Sequence, residues 1–428
     1  MEDFVYFFSF QDPNVVFVVL GISFLSISAA MVGTFTFLDK KALIGDAISH
    51  AVLPGVCLAF TFTGTKNPYW IVVGAFATGA LATYAISWVT EHTKLKEDTV
   101  IAAVLSVFFG VGIVFMTKLQ QTGNAAISGL DHFLFGNAIS IVGEDILVYG
   151  SLALLTIFTL LIFYKEFKLL IFNRDFAVSV GFPVKSLQFI FNSLMVLAVV
   201  TGIQAIGVVL MAGLLITPVA AARFWTDRLG AMLFIAVIFA LVSGVAGAYI
   251  SFVFPNMPTG PWVVVVLSLV AFASFSFSHK KGLITRWYAK RKYQEQIHSD
   301  HILKSLYNVL ENGGKGISLM ELKKDFPGKD AETERSIKRL INKAYLSSNK
   351  DFIELADAGL SEARRIIRLH RLWELYLTEY MNIAPDHVHD TAEKMEHILT
   401  PEIEAKLEAY LDFPSTDPHQ SIIPRDES

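Results

Sequence analysis

Cysteine is almost absent. Cys57 is the only one in the chain, so no intrachain disulfide can form. Charge is also scarce: Asp, Glu, Lys and Arg together make up 17% of 428 residues, against 53% hydrophobic residues and a mean hydropathy of +0.50. Such a balance excludes an ordinary soluble protein. There is no Walker A pattern. The nearest stretch, GGKGIS (313–318), lacks the required spacing, so any ATP hydrolysis coupled to this chain belongs to another polypeptide. The beginning, MEDFVYFFSFQDPN, has neither the basic n-region nor the small-residue cleavage site of a secretory signal and does not read as a cleaved peptide.

What is present is unevenly distributed. Long apolar blocks fill residues 1–295, and from about His298 onward the chain reads like a soluble protein. Charge divides the same way, with 18 basic against 15 acidic residues in 1–295 and 17 against 24 in 296–428. An acidic tail is a poor match to nucleic acid unless one local face is basic. Runs long enough to cross a bilayer fall at roughly 15–37, 43–63, 69–90, 98–117, 144–164, 186–203, 205–222, 229–254 and 261–278. The sixth and seventh are short and nearly continuous, so eight or nine spans are expected. With nine spans and the amino terminus outside, 16 of the 18 Lys and Arg residues in 1–295 fall on the inner side and only Lys66 and Lys118 outside. That asymmetry follows the positive-inside rule and puts the C-terminal part in the cytoplasm. An eight-span arrangement with the amino terminus inside would scatter the same charges on both faces.

Polar residues inside apolar spans carry the functional information. In ALIGDAISHAVLPGV, Asp46 and His50 are four apart and share one helical face. A carboxylate with an imidazole suits Mn²⁺, Fe²⁺ or Zn²⁺, with water or a second copy of the span completing the shell. The competing interpretation makes Asp46 a helix cap after Gly45 and His50 a satisfied core histidine. GLDHFLFGN (129–137) is a polar, aromatic insert on the outer side, and Pro218 in ITPVAAAR interrupts a span where freed backbone groups could face a cavity. FNRDFAVSVGFPV (172–184) is a short amphipathic segment between two spans, either a helix on the membrane surface or a piece that docks on an ATPase.

Residues 13–280 resemble the permeases of ABC importers for zinc, manganese and iron. The stretches that carry the resemblance are KKALIGDAISHAVLPGV (40–56), EDTVIAAVLSVFFGVGIV (97–114), FNRDFAVSVGFPV (172–184), QAIGVVLMAGLLITPVAAAR (204–223) and MPTGPWVV (257–264), in that order. The resemblance implies that Asp46 and His50 contribute to the metal pathway, with each permease of a dimer supplying one pair. It further implies that 172–184 is the coupling helix, with Phe172, Asn173, Arg174, Asp175 and Phe176 at the ATPase contact. An extracytoplasmic binding protein would deliver the ion to a homodimer, or to this chain beside a sister permease.

The C-terminal part begins with a basic linker, HKKGLITRWYAKRKYQEQIHSD (279–300), whose cations suit an anionic inner leaflet. Residues 299–357 show a winged-helix pattern: helices at 300–312, 317–326 and 331–345, then a hairpin in YLSSNKDFIEL (345–355) turning near Asn349 and Lys350. The third helix carries Arg335, Lys338, Arg339 and Lys343, a DNA-reading face in a free repressor but a solvated surface in a membrane-tethered one. Beyond it, His370 and Glu374 form an HxxxE pair, and His389, Glu393, Glu396 and His397 recur at offsets 0, 4, 7 and 8 on one helical face. Nitrogen with carboxylate and no thiolate fits Mn²⁺, Fe²⁺, Co²⁺ or Zn²⁺ better than Cu(I); a charged exposed face is the plainer alternative.

Residues 300–424 are similar to the iron- and manganese-dependent repressors of the diphtheria-toxin-repressor type. The similarity rests on ADAGLSEARRIIRLHRLWELYL (356–377), HDTAEKMEHILTPEIEAKLEAYL (389–411) and FPSTDPHQSIIP (413–424). It implies a winged helix followed by a helical dimerisation domain, with all six residues just named at metal-ligand positions. His301 sits where that family places a further ligand, and Lys304 replaces a carboxylate of its manganese-selective branch, which weakens the case for a simple two-manganese site.

The expected fold is therefore an all-α polytopic membrane protein of the bacterial plasma membrane with a cytoplasmic winged-helix and helical metal-binding domain. Its parts are a permease (1–280), a juxtamembrane linker (281–298), a winged helix-turn-helix (299–357) and metal-binding and dimerisation helices (358–428). Its expected activity is metal-ion import, not catalysis, with a divalent metal and no organic cofactor, and with the sensor acting as a feedback brake. A membrane-tethered, metal-responsive transcription regulator and a permease for a metal chelate are the rival readings.

Overall fold

The computed structural model describes residues 2–64, 68–121, 141, 143–254, 257–279, 281–349, 352–381, 383 and 401–424. The chain divides into two compact units, Met1–Thr285 and Arg286–Ser428.

The first unit is a helix bundle. After α1 (Glu2–Phe8), α2 (Pro13–Leu38) starts where Asp12 caps the Asn14 amide at 2.9 Å and Pro13 opens the first turn. The second span is interrupted: α3 (Ile44–Ala51) ends at Val52, and α4 (Leu53–Thr63) begins with Pro54 in its first turn. Next come α5 (Pro68–His92), α6 (Glu97–Gln121), α7 (Gly143–Ile162), α8 (Tyr164–Phe172) and α9 (Arg174–Ser179). The unit closes with α10 (Val184–Ile206), α11 (Val208–Trp225), α12 (Leu229–Val253) and α13 (Thr259–Phe277).

Eight helical stretches among the described residues are long and apolar enough to cross a membrane, counting α3 and α4 as one; Leu210–Trp225 is a shorter apolar helix. The near-continuous sixth and seventh spans are two helices, separated at Gly207 (φ +96°, ψ 156°), a conformation essentially reserved for glycine. Pro218 lies inside α11, as its place within a span suggested. The insert 129–137 lies outside the described residues. Sequence patterning did not reveal α1, whose buried Phe7 packs edge-on against Tyr249 at 5.3 Å and beside Phe252.

Glycines set the closest helix approaches. A Cβ on Gly33 of α2 would lie 1.9 Å from the Leu215 carbonyl oxygen of α11. Gly55 and Gly74 face each other across α4 and α5, where a Cβ on Gly55 would lie 2.1 Å from the Gly74 carbonyl oxygen. Lipid tails are as apolar as leucine, so helix association in a bilayer relies on such contacts.

The second unit is built on α14 (Leu283–Glu311), which already contains most of the segment taken for a linker. It continues with β1 (Ile317–Ser318), α15 (Leu319–Asp325), α16 (Asp330–Asn342), β2 (Leu346–Asn349), β3 (Phe352–Leu355), α17 (Asp357–Glu379) and α18 (Pro401–Tyr410). Ser318 and Glu321 form a reciprocal capping box that starts α15. The sheet is antiparallel in the order β1-β3-β2, with Leu346 opposite Leu355. Ile337 and Leu340 of α16 join Ile302, Leu306, Leu322 and Ile353 in one core.

Two predictions follow from this packing. Gly33→Ala is expected to cost about 1–3 kcal/mol, because the new methyl forces backbone apart. Gly110→Ala, with nothing within 4 Å of the added Cβ, should leave thermal unfolding in detergent unchanged. In the second unit, His298 is buried, its Nε2 3.0 Å from the Thr333 hydroxyl and its ring edge-on to Phe326. Burial holds its pKa below the ordinary 6.5; Lys329 adds to the effect and Glu332 opposes it. The unfolded chain then binds the proton more readily. This contribution to stability is full above about pH 6.5 and declines as pH falls toward the lowered folded value. Hydrogen exchange of Asp330–Asn342 in the whole protein, corrected for intrinsic rates, should show that acid loss, and His298→Gln should flatten it.

Candidate metal centres

The span bearing Asp46 and His50 is the most enclosed of the bundle: 72% of Ile44–Thr63 is buried, against 22% of Glu97–Gln121 and of Thr259–Phe277. Within it, α3 packs against α5, α6, α10 and α11. The pair itself is only partly enclosed: the His50 side chain is 18% exposed and that of Asp46 42%. Asp46 Oδ1 lies 3.5 Å from His50 Nε2. Two donors each 2.0–2.1 Å from a tetrahedral ion stand about 3.4 Å apart, so this O–N gap matches a single coordination sphere. The imidazole is held edge-on by Phe109 of α6 at 4.8 Å. Its Nδ1 is buried and has no hydrogen-bond partner among the described residues. An orphaned buried nitrogen of this kind calls for a water or ion that satisfies it or sets its tautomer. Ser49, one residue before, is satisfied within α3 by the Gly45 carbonyl at 2.8 Å, and neither contact uses the Asp46 side chain.

Polar contacts anchor the segments beside that span. Lys41 reaches Asp39 at 3.1 Å and Glu97 at 3.5 Å, tying the turn before α3 to the start of α6. In the segment 172–184, Phe172 ends α8, and the Asn173 side chain caps α9 by accepting the Phe176 amide at 3.0 Å. Arg174 lies 4.0 Å from Glu91 at the end of α5, and Asp175 falls in the first turn of α9. Phe172 and Phe176 stay 62% and 53% exposed. Aromatic side chains that far out of the core form a surface for a partner or for lipid.

In the second unit, His370 and Glu374 are buried on α17, with Nε2 3.0 Å from Oε1. The four further residues of that constellation, His389, Glu393, Glu396 and His397, lie outside the described residues. His301 sits on α14 and is half-buried. Among the described residues no group of three or more His, Cys, Asp or Glu gathers around one point. A structural node that spacing did not reveal lies beside the pair. Arg371, also buried, forms an ion pair with Glu311 at the end of α14 at 2.8 Å. It also hydrogen-bonds the Ile422 carbonyl and approaches Asp417 at 3.6 Å. Glu404 of α18 receives Arg368 and Arg365 from α17. These contacts fasten α17 to the end of α14, to α18 and to residues 417–422.

Residues 11–278 match the ABC 3 transport family, and residues 356–425 match the iron dependent repressor, metal binding and dimerisation domain. The manganese transport system membrane protein MntC of Bacillus subtilis is 37% identical over 383 residues, spanning 87% of this chain and 86% of MntC. The zinc transport system membrane protein TroC of Treponema pallidum is 38% identical, spanning 66% of this chain and 95% of its own length. Among solved structures, PsaBC from Streptococcus pneumoniae in complex with Fab superposes with a TM-score of 0.59 at 28% identity, covering 67% of this chain and 99% of that one. With more than half of its residues inside the first match, this multi-pass membrane protein belongs to the ABC 3 transport family.

Proposed function

We propose that the chain is the permease of an ABC importer for a divalent transition metal, Mn²⁺, Fe²⁺ or Zn²⁺, with a fused unit that senses the same class of ion. The observation that carries this is the Asp46–His50 pair at 3.5 Å inside the most enclosed span of a family permease. The ion is the cargo. Asp46 supplies charge and an oxygen donor and His50 a nitrogen, and a second permease, identical or sister, completes the path across a two-fold axis. Such a mixed donor set is hard enough for Mn²⁺ and soft enough for Zn²⁺, so it selects the class of ion and leaves the choice within it to geometry.

The energy source is a separate ATPase that docks on Phe172, Asn173, Arg174, Asp175 and Phe176. An extracytoplasmic protein hands the ion over from the other side. The lysine and arginine distribution along the sequence supports an outer amino terminus and a cytoplasmic second unit. In that unit His370 and Glu374, with His389, Glu393, Glu396, His397 and His301 as further candidates, bind the same kind of ion when its cytoplasmic level rises. Occupancy then biases the permease toward rest, by as much as the ion's differential affinity for the resting and active states.

The permease claim is tested by uptake of radiolabelled metal in cells carrying Asp46→Asn or His50→Ala. Each should lower uptake by at least about tenfold, since even second-shell changes at metal sites cost 10–100-fold in affinity or activity. Wild-type uptake by Asp46→Asn would point to a chelate permease instead. The sensor claim is tested with Glu396→Ala combined with His397→Ala. Uptake by that variant should no longer slow as internal metal accumulates, and normal slowing would remove the brake.

A further inference from the structure

One cavity of the second unit is unrelated to either metal pair. It has a volume of about 430 Å³ and lies between the early turns of α14 and the exposed side of α16. Four cations line it, Lys290 and Arg291 from α14 and Arg335 and Arg339 from α16, beside Trp287 and the carboxylates of Glu295 and Glu332. Glu295 is engaged by Arg339 at 2.7 Å and by Arg291 at 3.4 Å. Arg335 commits only its Nε, to the Ala331 carbonyl at 2.9 Å, so its terminal nitrogens remain for a ligand. Lys290 is fully in solvent reach. The cavity therefore keeps an excess of positive charge with donors spare, the arrangement that receives a phosphate group.

Its surroundings distinguish among phosphate-bearing partners. Trp287 and Tyr288 are 52% and 63% exposed, and the Arg291 guanidinium lies over the Trp287 ring at 5.5 Å. Amphipathic aromatics next to lysine and arginine are the composition of a helix at a lipid headgroup layer. Trp287 follows the last residue of α13, Phe277, by ten positions, and ten residues reach at most about 36 Å even when fully extended. The α14 wall of this cavity is thus tethered close in sequence to a membrane span. For duplex DNA, by contrast, the α16 face is partly taken up: Arg339 is tied to Glu295 of α14, and Trp287 lines the same cavity as Arg335.

We propose that this cavity binds the phosphate of an anionic phospholipid headgroup, so that α16 docks the second unit on the membrane surface instead of reading DNA. The leaflet concerned is the inner one if the orientation given under Proposed function holds. The site itself does not depend on that orientation.

The test uses the whole chain in neutral detergent, titrated with phosphatidylglycerol and followed by hydrogen exchange of residues 330–342. Protection should rise and saturate, and phosphatidylcholine at the same concentrations should give none. Each cation near an anionic surface is worth about 1 kcal/mol, or roughly fivefold. Lys290→Gln with Arg335→Gln should therefore weaken the apparent affinity roughly 25-fold. Lys290→Arg with Arg335→Lys, which keeps both charges, should retain it and shows that the exchange probe still reports a folded unit. Equal protection by phosphatidylcholine, protection by inorganic phosphate alone, protection by duplex DNA in place of the lipid, or an unchanged affinity in the Gln variant would each overturn the site. Because the readout is made in detergent and needs no transport, a failed site and a failed permease assignment are separate results.

Discussion

The crossing of α2 and α11 organises the membrane unit. Gly33 leaves no room for a side chain where the Leu215 carbonyl approaches, and the Leu215 side chain in turn lies 3.6 Å from the Cβ position of Gly45. Gly45 directly precedes Asp46, so the residue of α11 that meets Gly33 also packs against the turn of α3 that carries the carboxylate. The other sides of that span are held in the same way: Gly79 of α5 faces Ile48 and Val52, and Gly112 of α6 faces Leu53. In hydrocarbon there is no water to drive helices together, and shape at small residues does the selecting. The interruption between α3 and α4 falls inside this clasp, where the surrounding helices replace the rigidity that the Pro54 break removes.

Within the clasp, most hydroxyls are satisfied by their own helix, as Thr34 is by the Ala30 carbonyl at 2.7 Å and Ser49 by that of Gly45. Such bonds make a buried hydroxyl inexpensive and chemically quiet. His50 differs. Its Nδ1 is buried without a partner among the described residues, and its Nε2 faces a carboxylate at coordination spacing. The second unit has a similar pair: His370 and Glu374 are buried in protein, and α17 is bolted through Arg371 to the end of α14 and to residues 417–422. A ligand that shifts α17 would pull on both, which gives the proposed brake a mechanical starting point.

Much of this was legible in the sequence because lipid imposes a strong pattern. Twenty apolar residues in a row have few other uses, and Asp46 and His50 stand out because charge is rare among them. The pause between the sixth and seventh spans was visible as well, and Gly207 supplies its physical reason. The α1 helix was not legible. It is short and aromatic, and its burial depends on Tyr249 and Phe252, more than two hundred residues away. Arg371 was passed over because its partners Glu311 and Asp417 lie sixty residues before it and nearly fifty after, and no local spacing rule connects them. The feature shared by these misses is long-range pairing, which periodicity does not encode.

The central claim is that the Asp46–His50 face binds the ion on its way through the membrane. The most direct measurement is pulsed electron paramagnetic resonance of Mn²⁺ bound to the whole chain in detergent. It is made on a Glu396→Ala, His397→Ala background so that the second unit contributes as little as possible. The account predicts a nitrogen hyperfine coupling from a coordinated imidazole that disappears on His50→Ala. A coupling that survives His50→Ala, or an Mn²⁺ signal with water ligands alone, would contradict it.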